Sequence, residues 1–145
     1  MIICVDFDGT IVSSDREYTD VETPLEFLHG AKEGLQSLKA ADHVIVIYSA
    51  RANRALRIDP NLDPLVRAGL RRLDHEWWES NKDLNEARYQ QMVEFCKTAL
   101  DGIVDVVDDG QQGKPCAGLF IDDRAMRFRF GDWLRISRMY GEKHG

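Results

Sequence analysis

Two short, uninterrupted apolar segments constrain the fold of this chain more than any other feature. Residues 2–5 and residues 43–48 are mostly aliphatic and lack the alternation of polar side chains that marks a half-solvated strand. Each segment stops abruptly at a polar side chain, Asp6 in the first case and Ser49 in the second. Residues 30–41 between them carry apolar side chains at helical spacing. Buried strands that alternate with helices predict an α/β fold around a parallel sheet.

The rest of the chain continues this alternation. Asp63 followed by Pro64 is typical of a helix start, and Ser80 with Asp83 resembles a capping box at the start of a second helix that Gly102 would end. Further elements are predicted as strands at 103–107 and 117–121 and as helices at 63–77, 80–101 and 132–142.

Length and composition indicate one domain. The 145 residues are 43% hydrophobic, enough for a single core over residues 1–145. Residues 52–87 are longer than one crossover helix requires and are interpreted as a helical insertion. No apolar run is long enough for a membrane span, and Asp6 comes too early for a signal peptide. Three widely spaced cysteines without a Cys-x-x-Cys pattern favour a reduced, cytoplasmic protein.

Charge is distributed unevenly along the chain. Residues 1–123 hold 13 basic and 23 acidic side chains, and residues 124–145 hold 6 basic and 2 acidic ones. The acidic body does not favour general nucleic-acid binding. The arginines of the last segment face either an anionic substrate or nearby carboxylates of the fold; they are Arg124, Arg127, Arg129, Arg135 and Arg138.

Polar side chains follow three of the four predicted strands. The first strand ends in Asp6-Phe7-Asp8, the second in Ser49 and the fourth in Asp122-Asp123. Because the carboxyl ends of parallel strands meet at one edge of a sheet, we expect these groups to converge there. Clustered carboxylates repel one another unless a cation lies among them, and a ligand set made only of oxygen favours Mg²⁺.

The loop after the first strand separates two carboxylates by one residue. Asp6 and Asp8 face the same side of an extended chain, and Gly9 permits a tight turn and close approach of a ligand. One carboxylate can attack while the other moves a proton. An ordinary turn is the alternative interpretation, whereas an EF-hand is excluded because its glycine and glutamate positions are not matched.

Four segments occur in an order that resembles a known superfamily. They are Asp6-Phe7-Asp8-Gly9-Thr10, Ser49 after the second strand, Lys114 in a Gly-Lys-Pro turn, and Asp122-Asp123 after the fourth strand. Together they resemble the four motifs of the haloacid dehalogenase-like (HAD) hydrolases, in the phosphatase branch, over residues 2–125. The first and fourth motifs are specific in combination, whereas the second and third carry weight only through their register.

Two arginines narrow this resemblance. Arg51, two residues after Ser49, and Arg124, after the acidic pair, are similar to small capless members and to the phosphatase domain of polynucleotide kinases. The resemblance implies an α/β, Rossmann-like three-layer sandwich with a mainly parallel sheet. No gap between the motifs is long enough for a separate cap domain. An open site favours a large substrate or closure by a neighbouring subunit.

The resemblance also implies roles for individual residues. Asp6 would attack phosphorus and form an aspartyl-phosphate, while Asp8 would act as general acid and then as general base. Mg²⁺ would be held by the Asp6 carboxylate, the Asp8 carbonyl and Asp122, with Asp123 bound through water or lying just outside. An acid at the position of Asp8 suits a phosphomonoester and is not needed for dehalogenation.

The remaining phosphate oxygens would be bound by residues from several loops. Lys114 would neutralise Asp6 and a phosphoryl oxygen, Ser49 and the backbone amides around Gly9 and Thr10 would donate hydrogen bonds, and Arg51 and Arg124 would bind substrate. Each has an alternative: a solvated lysine, a serine that caps a turn, and arginines paired with Asp108, Asp109 or Asp123. Trp78 is predicted to be exposed enough to stack on a base, and Trp77 to lie in the core.

The sequence therefore predicts a Mg²⁺-dependent phosphatase acting on a phosphorylated substrate, either a small metabolite or a nucleotide or polynucleotide 3′-phosphate end. A receiver-like phosphoaspartate signalling module is a different class with similar groups, but there the acidic pair comes early and the lysine last. A binding module with little catalysis is the other alternative, although no motif residue is missing. No membrane partner is expected, and the oligomeric state is left open.

Overall fold

The computed structural model describes residues 1–141 and has an α/β architecture. The strands are β1 (Ile2–Val5), β2 (Val44–Ile47), β3 (Val106–Val107) and β4 (Leu119–Ile121). The helices are α1 (Ala31–Ala40), α2 (Arg54–Arg57), α3 (Pro64–Arg67), α4 (His75–Thr98) and α5 (Trp133–Tyr140), with 3₁₀ turns at Ala50–Ala52 and Pro60–Leu62.

All four strands are parallel, in the order β3-β2-β1-β4. The strand β1 therefore lies inside the sheet, where Val5 is in register with Ile47 of β2 and Ile121 of β4. The residues that follow these three positions leave the sheet side by side at its carboxyl edge. The parallel α/β prediction is confirmed, and so is the convergence of strand ends on which the site prediction depends.

Most of the buried core lies on one face of the sheet. Ile3, Val5, Ile45 and Ile47 point to this face and form one buried cluster with side chains of α1 and α4 and of the turn after α4, namely Leu35, Met92, Cys96, Leu100 and Ile103. On the opposite face Ile2, Val44 and Val106 are 40–50% exposed, whereas Cys4 and Val46 are buried. Over residues 1–141 the parallel sheet and its helices are compatible with a Rossmann-like sandwich, and the full three-layer arrangement stays a prediction.

The helix predicted at residues 63–77 is much shorter in the structure. Its start is confirmed, because the Asp63 side chain accepts the Leu65 N–H at 2.7 Å. The helix α3 nevertheless ends at Arg67, since Gly69 takes a left-handed conformation with φ of 71°. The apolar spacing beyond it therefore does not correspond to one continuous helix.

The capping box predicted at Ser80 is wrong. The helix α4 begins at His75, where the side chain of Asp74 accepts the Trp77 N–H at 2.9 Å, and it continues through Ser80 to Thr98. The cap at Asp74 satisfies the free N–H groups one and a half turns earlier than the pattern indicated. Gly102 lies in the turn that follows, with φ of 73°.

The segment 52–87 is continuous with the rest of the fold. It contains α2, α3 and the first half of α4, so its predicted end does not coincide with the end of an element. Arg57 links these pieces, because it pairs with Glu86 at 2.9 Å and donates to the Asp109 carbonyl at 3.1 Å. The terminal helix predicted at 132–142 is α5, and residue 142 lies outside the described residues.

The two tryptophans of α4 exchange their predicted environments. Trp77, expected in the core, is 42% exposed, whereas Trp78 is half-buried with the Lys82 ammonium 5.1 Å from its ring centroid. The buried side of α4 carries Asn85, Tyr89 and Met92, and Trp78, seven residues before Asn85, shares that side. Among residues 1–141, no helix is both long and apolar enough to cross a membrane.

Candidate functional site

Three carboxylates meet at the carboxyl edge of the sheet. Asp6 follows β1 and Asp122-Asp123 follow β4, and one oxygen of each lies within 4.8 Å of the others. Their proximity results from the parallel pairing of β1 with β4, which extends to a hydrogen bond from the Asp6 N–H to the Ile121 carbonyl at 2.9 Å. The cluster joins residues more than a hundred positions apart, as the sequence predicted.

Thr10 connects the two sides of this cluster. Its hydroxyl donates to Asp6 Oδ2 at 3.3 Å and accepts the Asp123 N–H at 3.2 Å. Gly9 lies directly against the Asp123 side chain. A Cβ at position 9 would be 2.6 Å from Asp123 Oδ2, and the backbone φ of 79° at this position also favours glycine. A side chain at position 9 would therefore have to displace the Asp123 carboxylate and would be strained by the left-handed backbone.

Electrostatics at Asp6 favour a cation in this place. Burial raises the pKa of Asp6 to about 6, and the nearby Asp123 and Asp122 carboxyl groups raise it as well, while the Phe7 N–H opposes the shift. Three carboxylates whose oxygens converge form the oxygen ligand set that Mg²⁺ prefers. A cation bound among them would relieve their mutual repulsion. The residues present are thus suited to the metal that the sequence predicted.

Asp8 points away from the carboxylate cluster and toward Arg51. The Nε and Nη2 atoms of Arg51 donate to the two carboxylate oxygens of Asp8 at 2.7 and 2.8 Å. The remaining nitrogen of Arg51 donates to the Arg88 carbonyl and to Gln91 Oε1, both at 2.9 Å. Arg51 is only 6% exposed and is fully engaged, so in this structure it orients Asp8 and is not free to bind substrate.

Two predicted hydrogen-bond donors lie at the site with different roles. Ser49 is half-buried and lines the cleft in front of the sheet, and its Oγ accepts the Arg51 N–H at 3.1 Å. The N–H groups of Gly9 and Thr10 donate to the carbonyls of Val12 and Phe7. These two amides close the loop internally, which differs from the prediction that they bind phosphate oxygens.

The two predicted cationic groups are placed differently. Arg124 is exposed and lines the cleft, and its backbone N–H donates to Asp122 Oδ1 at 2.8 Å. Lys114 is exposed and does not line the cleft; its ammonium lies 4.3 Å from the centroid of the Phe120 ring. The turn after β3 carries Lys114 toward the sheet face that Phe120 occupies, so the lysine is not brought to Asp6.

A cleft of about 950 Å³ opens in front of the strand ends. Asp6, Asp8, Ser49, Asp122 and Arg124 line it together with side chains that sequence reasoning missed. These further residues include Arg16, Tyr18, Arg54, Arg88 and Asp108. Asp108 directly follows β3, and a polar residue at the end of a strand is the same sequence pattern that identified Asp6. The other four come from a loop and from helices, where no local sequence pattern identifies a binding residue.

Comparisons with models of known protein families, with curated proteins and with solved structures found no match for this chain. Its function is therefore inferred from its sequence motifs and from the arrangement of its side chains.

Proposed function

We propose that this protein is a Mg²⁺-dependent phosphomonoester hydrolase that works through an aspartyl-phosphate on Asp6, with the HAD-like fold that its motifs resemble. The observation that carries the proposal is the meeting of Asp6 with Asp122 and Asp123 at one sheet edge, with Asp8 held separately two residues away. This arrangement provides a nucleophile, a proton-transfer group and a cation site in one cleft.

The chemistry requires two displacements at phosphorus. In the first, an Asp6 carboxylate oxygen forms a bond to phosphorus while the bond to the leaving oxygen breaks, and the Asp8 carboxyl group gives its proton to that oxygen. In the second, water attacks the phosphorus of the aspartyl-phosphate, Asp8 accepts a proton from the water, and the Asp6 carboxylate is released with inorganic phosphate. Asp8 thus returns to its starting state.

Asp6, Asp122 and Asp123 would hold the magnesium ion. When bound, Mg²⁺ supplies positive charge that offsets the repulsion between the Asp6 carboxylate and the substrate phosphate. Thr10 keeps Asp6 and the Asp123 backbone in register through its two hydrogen bonds. These residues therefore orient the nucleophile before the substrate arrives, which is the main contribution of a protein to phosphoryl transfer.

Cations and hydroxyls of the cleft supply the remaining stabilisation. Ser49 and Arg124 line the cleft near the strand ends and are suited to hydrogen-bond phosphoryl oxygens. The role that the motif order assigns to Lys114 requires the turn after β3 to move toward Asp6. A small phosphorylated metabolite and a nucleotide or nucleic-acid 3′-phosphate end are both substrates of this chemistry.

A generic aryl phosphate tests the proposal. We expect turnover that depends on Mg²⁺, that stops on chelation and that is lost in Asp6→Asn. Trapping with acid should recover a phosphoryl group on Asp6 during turnover. Hydrolysis that persists in Asp6→Asn would contradict the proposal, and a stable phosphoaspartate without turnover would favour a receiver-like signalling module.

A further inference from the structure

Arginine side chains form one wall of the cleft beyond Asp8. Arg16 comes from the loop after β1, Arg54 begins α2, and Arg88 lies in the middle of α4. All three are half-buried and line the cleft that also contains Asp6 and Asp8. Three separate segments of the chain thus each contribute an arginine to the lining of the same cleft.

None of these three arginines forms an ion pair with a carboxylate in the part of the chain described, residues 1–141. Arg16 donates to the carbonyls of Thr23 and Pro24, and Arg88 donates to the carbonyl of Tyr18, at distances of 2.8 to 2.9 Å. Arg88 also stacks on the Tyr18 ring, 4.1 Å from its centroid. These contacts orient the guanidinium groups of Arg16 and Arg88, and no carboxylate of residues 1–141 lies within ion-pair distance of either group.

The carboxylate that acts on Arg88, Asp8, is already engaged by another arginine. Asp8 receives two hydrogen bonds from Arg51, and its charge is therefore offset by that arginine. Burial lowers the pKa of Arg88, and the positive charges of Arg51 and Arg16 lower it further, while Asp8 acts in the opposite direction. An anion between Arg16 and Arg88 would reduce this mutual repulsion.

The position of these arginines relative to Asp8 defines which part of a substrate they meet. In the proposed reaction Asp8 protonates the leaving oxygen, so the leaving group lies on the Asp8 side of phosphorus. Arg88 lies close enough to Asp8 and to Arg16 for both charges to affect its pKa, and its carbonyl accepts a hydrogen bond from Arg51, the partner of Asp8. Arg88 and Arg16 are therefore placed to meet the leaving group, which extends from phosphorus on this side.

We infer that Arg16 and Arg88, supported by Arg54, bind a second anionic group, a carboxylate or a phosphate, on the leaving-group half of a phosphomonoester substrate. This inference rests on the proposed function, because that reaction defines the leaving-group side. It narrows the substrate to a molecule with two anionic ends that the cleft holds between a metal site and an arginine wall.

Three alkyl phosphates of equal chain length test the inference. Their far ends carry a hydroxyl, a carboxylate or a second phosphate. We expect a KM at least about tenfold lower for one or both of the charged far ends than for the hydroxyl, since hydrogen bonds to charged groups are the stronger class. A gain with both charged ends indicates a general anion site, and a gain with one alone identifies the preferred anion; equal KM values for all three substrates would overturn the inference.

Variants separate this role from a structural one. Arg88→Gln should raise KM for the charged substrates toward that of the hydroxyl substrate, whereas Arg88→Lys should keep part of the preference. Arg72→Gln removes one positive charge at an exposed position outside the cleft and should change nothing. If Arg88→Gln slows all three substrates equally, Arg88 acts on the transferred phosphoryl group or on the fold, and the inference is wrong.

A binding measurement distinguishes failure of the inference from failure of the proposed function. Phosphonate analogues of the same three compounds have a P–C bond in place of the P–O bond and are not hydrolysed. Calorimetric titration of the wild-type protein should show the charged far ends binding at least about tenfold more tightly, and Arg88→Gln should abolish the difference. Absence of hydrolysis contradicts the proposed function, whereas equal phosphonate affinities contradict the second-anion site even if hydrolysis occurs.

Discussion

Arg51 holds Asp8 by two parallel hydrogen bonds of 2.7 and 2.8 Å, and Arg51 is itself held by the Arg88 carbonyl and by Gln91. This contact fixes both rotatable bonds of the carboxylate that is proposed to move the proton. It also connects the loop after β1 to α4, because Gln91 and Arg88 belong to that helix. In the proposed reaction Arg51 would therefore act through Asp8.

Replacing Arg51 with lysine tests this positioning role. Arg51→Lys keeps the charge but loses the planar fork that fixes both oxygens of Asp8. We expect kcat to fall by about tenfold or more while KM for an aryl phosphate changes little, because substrate contacts are retained. A raised KM with unchanged kcat would instead indicate that Arg51 binds substrate, and denaturant unfolding of both proteins controls for loss of stability.

The proton-transfer role of Asp8 predicts a dependence on the leaving group. An alkyl alcohol is a poor leaving group and needs the proton, whereas a nitrophenolate leaves without one. Asp8→Asn should therefore lower kcat for an alkyl phosphate by about 10²–10⁴, and considerably less for nitrophenyl phosphate. Steady-state kinetics with a series of phenyl and alkyl phosphates would measure this, and equal losses across the series would remove Asp8 from the role of general acid.

Gly9 and Gly102 form a matched pair of substitution sites. Both have a left-handed backbone, with φ of 79° and 73°, but only at Gly9 would a Cβ meet another group, Asp123 Oδ2 at 2.6 Å. Gly102→Ala should cost only the conformational penalty of about 1 kcal/mol in the free energy of unfolding. Gly9→Ala should cost more and also displace Asp123.

Denaturant unfolding and Mg²⁺ titration would compare these two variants. A Gly9→Ala protein that unfolds like Gly102→Ala and binds Mg²⁺ normally would contradict the close contact with Asp123.

Metal binding should be visible in stability as well as in activity. A Mg²⁺ concentration of about 100 times the dissociation constant should stabilise the folded protein by about 2.7 kcal/mol. Asp122→Asn removes one charged donor of the cluster and should abolish most of this gain and raise the Mg²⁺ requirement for turnover. Asp101→Asn removes an exposed carboxylate after α4 and is the control; equal Mg²⁺ effects on both variants would exclude Asp122 as a ligand.

The contacts of the Asp105 carboxyl group predict how the free energy of unfolding depends on pH. A hydrogen bond from the Lys39 ammonium and one from the Ile45 N–H hold the pKa of this carboxyl below its usual value of 3.8. Because its pKa is lower in the folded state, the stabilisation is complete above the unfolded value and is lost as pH falls through the folded one. Asp105→Asn should destabilise the protein at pH 7, and the difference from wild type should shrink below about pH 4.

Strand positions and strand ends could be predicted from sequence because each depends on local pattern. Continuous aliphatic runs located β1 and β2, and the polar residues that follow them located the sheet edge that holds Asp6 and Asp122. Parallel pairing then placed these two residues together without any further information. This part of the site follows from the physics of a parallel sheet.

Side-chain partners and helix starts could not be predicted in the same way. The predicted cap at Ser80 and the observed cap at Asp74 are both residue types that accept free N–H groups, so the local pattern does not show which of them starts α4. The pairing of Arg51 with Asp8 depends on how closely α4 approaches the loop after β1. The position of the Lys114 ammonium depends on the path of the turn after β3. Such features are determined by packing between elements that are distant in sequence.

The inner position of β1 determines how core substitutions should affect folding and turnover. The loop that contains Asp6 directly follows β1, and β1 is hydrogen-bonded on both sides, to β2 and to β4. It therefore cannot shift alone without breaking two ladders. Core substitutions that weaken the sheet should reduce the fraction of molecules that are folded, while each molecule that remains folded turns over at the normal rate, which gives a temperature-sensitive protein rather than a slow one.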